Sequence, residues 1–232
     1  MTEPPSSGVS AAWAAACLAT MAALSSGCVR TIDGVAAGLG VSAKSTAPQS
    51  ATGNSTPVPG IETTLPDHIP PNAFACFPDP TEIGVGTVAQ VSDPAAPRIT
   101  VARPDGWTGE PGQRDVALSL SGPDRLTATV TIAVTTLDPA AAFTDYAAML
   151  ARAKPDLHVD TAGAPFCDYS SQKLTGTYLG TPGILDFADR ITHIWTNTDK
   201  YLVTTHLEGP ADAPGFDAAK TALMQDFAVV IP

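Results

Sequence analysis

The chain has 232 residues, and its 12 Lys and Arg against 23 Asp and Glu give a formal net charge of −11. Phosphate contacts need clustered bases, and the few here are scattered, so nucleic acid is excluded as a partner. The length suits one domain plus a tail.

The first element is VSAAWAAACLATMAAL, Val9 to Leu24, which is apolar, Ala-rich and uncharged. It is short for a membrane span, which needs roughly 20 residues. Small residues Ser25, Ser26 and Gly27 follow it, the layout of a secretory signal and its cleavage site. The Gly27-Cys28 pair resembles the lipobox of bacterial lipoproteins, where the Cys sulfur takes a diacylglycerol and cleavage makes that Cys the new N-terminus. Ser25 stands where such a box usually has Leu, and the preceding residues hold Glu3 and no base. We expect residues 1–27 to be a signal peptide and Cys28 to be lipidated. That places the protein on the extracytoplasmic side of the cell membrane, lipid-anchored, or secreted. A plain signal peptide or a short uncleaved anchor is the competing reading.

Residues 28–63 are rich in Ala, Gly, Ser, Thr and Pro and hold no aromatic residue. Such a segment cannot bury enough apolar surface to offset its ordering entropy, which predicts a flexible spacer. Within it, GLGVSAKS (Gly38 to Ser45) is a poor phosphate loop, because no Gly precedes Lys44 and no strand leads into it. The Asn54-Ser55-Thr56 sequon carries no weight here.

The folded domain is predicted over residues 64–232. Strands are expected near Arg98–Ala102 and Asp115–Ser121. The clearest strand is LTATVTIAVTT, Leu126 to Thr136, where Leu126, Ala128, Val130, Ile132 and Val134 alternate with polar or small residues. Asp138 then caps a helix, Pro139 suits its first turn, and Pro155 ends it. Phe143, Ala147 and Leu150 are expected on its buried face, with Tyr146 at the edge. Strands Gln172–Gly180, Leu185–Asn197 and Lys200–Gly209 follow through short turns, so an antiparallel meander is expected. A second helix carries Phe216, Ala219, Leu223 and Phe227 on one stripe, before a last strand at Phe227–Ile231. The fold class is α+β: an antiparallel β-sheet with helices packed on it.

Cys76 and Cys167 remain as an even pair in an exported domain, which favours a disulfide over two buried thiols. Two Cys without a His at ligand spacing make no zinc site, and no cofactor is expected. The chain has no Gly-x-Ser-x-Gly elbow and no His-Glu-x-x-His helix. His193 and His206 lie on strands expected to be neighbours, so they could approach, though two histidines make an incomplete metal site. Asp186 and Asp189 are separated by an odd number, which sends them to opposite sheet faces and away from glycosidase work. Cys167 with His158 would suggest a thiol enzyme, against which the export compartment and Cys76 argue. Trp107 and Trp195 could stack on a sugar, with core packing as the default.

Three local motifs carry a resemblance. VARPDGW (Val101 to Trp107), LDPAAAFTDY (Leu137 to Tyr146), and TDKYLVTTHLEG followed by LMQDFAVV, in this order, resemble the LpqN/LpqT-type lipoproteins of mycobacteria and the related proline-rich secreted antigen. The resemblance covers about Ile99 to Ile231, in patches. It implies a PsbP-like α/β/α sandwich, an envelope or secreted location, and no agreed catalytic residues. We therefore expect a non-enzymatic cell-envelope lipoprotein. Its partners would be the membrane, through the N-terminal lipid, and an envelope lipid, a glycan or a protein. The alternative is a hydrolase acting on envelope lipids or glycans, drawing on His193, His206 or Asp189.

Overall fold

A computed structural model describes residues 57–62, 74–78, 84–181, 183–196 and 198–232; the leader, Cys28 and most of the expected spacer lie outside them. The elements in chain order are β1 (Phe74–Cys76), β2 (Val85–Ala89), β3 (Arg98–Arg103), β4 (Thr108–Pro111), β5 (Val116–Ser121), a 3₁₀ turn (Pro123–Arg125), β6 (Thr127–Thr135), α1 (Pro139–Ala153), β7 (His158–Gly163), β8 (Ser170–Leu179), β9 (Ile184–Trp195), β10 (Lys200–Pro210), α2 (Phe216–Leu223) and β11 (Ala228–Val230). Among the described residues they form a seven-stranded sheet, β4-β5-β6-β10-β9-β8-β7, and a four-stranded sheet, β1-β11-β3-β2. Every pairing is antiparallel. The α+β class and the meander β8-β9-β10 are therefore what the structure shows, with a second, smaller sheet added.

The large sheet is the middle layer, and its two faces are closed differently. On the back face, β6 buries Ala128, Val130 and Ile132, and β10 buries Tyr201, Val203 and Leu207. These meet Ile99, Val101 and Val229 of the small sheet and Phe216, Ala219 and Leu223 of α2 in one apolar cluster. Val134, expected to continue this face, is 59% exposed at the end of β6. Phe227 lies beyond the end of α2 yet joins the same core.

The front face carries α1. Asp138 caps it, its Oδ1 accepting from the Ala141 amide at 2.8 Å, and Pro139 occupies the first turn. Ala142, Phe143 and Leu150 pack on Leu174, Tyr178, Phe187 and Ile191. Ala147, expected in this stripe, is exposed, because the contact line runs through Phe143, Tyr146 and Leu150. Residues 57–62, the end of the stretch predicted as spacer, lie on the same side, with Val58 and Ile61 against this core. The Gly60 carbonyl accepts from the Ser171 amide at 2.9 Å, and Gln172 Nε2 donates to the Pro59 carbonyl at 2.8 Å. Gly60 adopts φ +73°, and a Cβ there would strike the Ser171 carbonyl. Among the described residues no helix is long and apolar enough to cross a membrane.

Candidate functional site

The turn between β9 and β10 sets their register. Lys200 pairs with Trp195, so six residues on, His206 faces Asp189. Both side chains lie under α1. Asp189 is 0% exposed. Its Oδ1 accepts from His206 Nδ1 at 2.5 Å, and its Oδ2 accepts from Tyr146 Oη of α1 at 2.8 Å. The other ring nitrogen of His206, Nε2, lies 3.1 Å from Glu208 Oε2. That same oxygen accepts from Tyr178 Oη of β8 at 2.6 Å and from Lys154 Nζ, just past α1, at 3.1 Å. Lys154 also stands 4.0 Å over the Tyr178 ring. The result is a hydrogen-bonded chain from Tyr146 through Asp189, His206 and Glu208 to Tyr178 and Lys154.

The electrostatics follow from this crowding. Burial works against a charge on His206, but its bonds to Asp189 and Glu208 outweigh that and push it up to about 9. The His206 bond holds Glu208 well below the usual carboxylate range. Burial, then the Asp189 charge and hydrogen bond, push the Tyr146 hydroxyl far up. Lys154 is raised too, since its polar partners outweigh burial.

The other residues singled out in the sequence scatter. His193 does not approach His206; it pairs with Leu202, four positions along the strand. It is buried, its Nε2 lies 3.1 Å from the Leu137 carbonyl, and burial lowers its pKa. Asp186 pairs with Gly209, three residues from Asp189 and on the opposite face. His158 is exposed and hydrogen-bonds the Asp156 carbonyl. Cys167 forms a disulfide with Cys76, Cα–Cα 5.7 Å, and so offers no thiolate. Trp107 and Trp195 are buried in the back core, which leaves neither free to stack on a sugar. Among the described residues no group of three or more His, Cys, Asp or Glu is arranged to hold a metal.

A concave surface lies elsewhere, on the outer face of the small sheet. Period two puts Ile99, Val101 and Val229 inward, so Thr100, Ala102 and Ala228 face outward. Gly86 sits opposite Ala102, and Thr100 opposite Ala228. With so little side chain on this floor, a groove of about 440 Å³ opens, lined also by Phe77, Asp226 and Phe227. It is braced from behind by Arg190, whose side chain is fully buried. Arg190 donates to Asp226 Oδ1 at 2.6 Å and to the Met224 carbonyl at 2.8 Å, and its guanidinium lies 4.4 Å over the Phe166 ring.

Set beside solved structures, this arrangement of strands and helices aligns with LpqN of Mycobacterium tuberculosis, a protein involved in cell envelope biogenesis. The TM-score is 0.52 over 63% of this chain and 91% of that one. The chain has an LpqN-type fold. Identity to LpqN is 17%, a level at which the shared backbone says nothing of shared residues. A Pseudomonas aeruginosa protein of unknown function aligns 62% of this chain with 96% of its own at 18% identity, but at a TM-score of 0.36, too low to call the folds alike. No protein-family model and no curated protein sequence matches the chain.

Proposed function

We propose that this chain is an exported cell-envelope protein, tethered through Cys28, whose folded domain binds rather than catalyses. Its ligand is an envelope lipid, a glycan or a protein. The observation that carries this reading is the groove over Gly86, Thr100, Ala102 and Ala228, whose volume of about 440 Å³ falls in the range of small-molecule sites. The apolar leader just ahead of Cys28 and the LpqN-type fold support the envelope setting.

The Asp189–His206 pair is what favours a hydrolase instead. Against that, both ring nitrogens of His206 face carboxylate oxygens, so neither is free to take a proton from a nucleophile. We place the pair in the structure's framework rather than in chemistry.

Native mass spectrometry on protein mildly extracted from membranes tests the binding reading. The wild-type domain is expected to carry a bound mass, and Ala102→Phe, which fills the groove floor, is expected to lose it. Retention of that mass by the filled variant, or turnover in an ester and glycoside panel, would overturn the reading. The tether has its own test. Cys28→Ala is expected to move the protein from the membrane to the soluble fraction, and an unchanged distribution would remove the lipid anchor.

A further inference from the structure

We infer that α1 is a latch over the sheet, held shut by an imidazolium at His206. A carboxylate offers acceptors only, so a histidine with a carboxylate oxygen at each ring nitrogen must carry a hydrogen on both. His206 is in that position, with Asp189 Oδ1 at Nδ1 and Glu208 Oε2 at Nε2. Each of these carboxylates also holds α1: Asp189 through Tyr146, Glu208 through Lys154. The single proton therefore sits at the junction of both ties.

Among the described residues, few titratable or charged groups face the imidazole. Tyr146 and Lys154 come from α1 and its C-terminal cap, Tyr178 from β8, Asp189 from β9, and Glu208 from the histidine's own strand. When the proton leaves, neutral imidazole donates through one nitrogen only, and its lone pair then points at a carboxylate. The hydrogen left on the neutral ring stays on Nδ1, against the fully buried Asp189, so the lone pair at Nε2 faces Glu208 Oε2; water entering to relieve that mismatch loosens the Glu208–Lys154 tie at the end of α1. The helix is otherwise anchored by a short apolar set, Ala142, Phe143 and Leu150, and by the Leu137 carbonyl on His193 just before its start. Its departure uncovers Leu174, Phe187 and Ile191 on the sheet.

The direction with pH follows. His206 is raised from 6.5 to about 9, so its stabilising contribution is complete below its ordinary value and is lost as pH rises through about 9. Glu208 is depressed, so its contribution is present above its ordinary value and survives well into acid. The latch stays shut at neutral and mildly acidic pH and opens in alkali.

Two measurements on the full chain test this. Ring ¹⁵N shifts of His206 at pH 7 are expected to show both nitrogens protonated; a neutral ring at pH 7 would overturn the inference. Amide hydrogen exchange, compared as protection factors so that intrinsic rates cancel, is expected to show α1 losing about tenfold or more between pH 7 and pH 10. Over the same range α2 keeps its protection. Equal losses in both helices, or none in α1, would overturn it. His206→Gln, which cannot donate at both ends, is expected to show the weakened α1 already at pH 7 and to lose the pH dependence. If that variant does not fold, the wild-type ring shifts and exchange profiles still decide.

Discussion

The two faces of the large sheet are held by different physics. On the back, Ile99, Val101 and Val229 of the small sheet and Ala219 and Leu223 of α2 are almost entirely buried against β6 and β10, and Cys76–Cys167 ties β1 covalently to the chain before β8. On the front, α1 contributes three buried apolar residues beyond its first proline, and polar pins do the rest: Tyr146 to Asp189, Lys154 to Glu208, and the Leu137 carbonyl to His193. Hydrophobic burial is non-directional and indifferent to pH, whereas a chain of charged hydrogen bonds depends on every proton being in place. The lesson is that local stability should divide along the sheet: a back layer that opens only with the whole domain, and a front helix that can open alone.

The largest expected effect falls on the back layer. The disulfide joins residues 91 apart in sequence, and in the chain-entropy model such a cross-link stabilises by about 4 kcal/mol. The double variant Cys76→Ala, Cys167→Ala should lose about that much in urea unfolding, with m raised because the uncrosslinked denatured chain is less compact. A loss below about 1 kcal/mol would show that the back core holds without its covalent tie. The next effect falls on the front. Tyr146→Phe leaves an oxygen of the buried Asp189 without its donor, which should cost about 2 kcal/mol. Hydrogen exchange should place that loss in α1 while α2 is untouched; a loss shared by both helices would erase the proposed division.

What could be read from the sequence tracks the range of the interactions. TATVTIAVT alternates cleanly and Asp138-Pro139 is a local helix start, so β6 and α1 were legible. The meander was legible because its turns are short. β4 and β7 were not, because all their residues are exposed and no apolar alternation marks them. Of the small sheet, β3 and β11 were expected as strands, but their pairing escaped for another reason: β1 meets β11 across almost the whole domain, Phe74 with Val230, and both strands are three residues long. The polar chain was partly within reach. Asp189 and His206 are equidistant from the 196–199 turn, so counting back from it pairs them, while His193 lands on Leu202. Glu208 follows His206 by two and shares its face. Tyr146 and Lys154 could not be placed, since nothing local says where along β9 and β10 the helix lies. The groove left no mark at all, because its floor is defined by side chains that are small.

The smallest effect sharpens the comparison most, because it separates helix stability from helix attachment. Asp138 satisfies the Ala141 amide at the first turn of α1 from an exposed position, and it bears on the helix without entering the Asp189–His206–Glu208 chain. Asp138→Ala should cost about 1 kcal/mol. Because the cap acts on the helix end and not on the imidazolium, the variant should lower protection of α1 by the same factor at pH 7 and at pH 10. A cap loss that grew with pH would mean that α1 frays from its N-terminus in alkali rather than lifting where Tyr146 and Lys154 hold it. The weakness of the front layer would then lie in the helix itself, and the buried histidine would be a bystander.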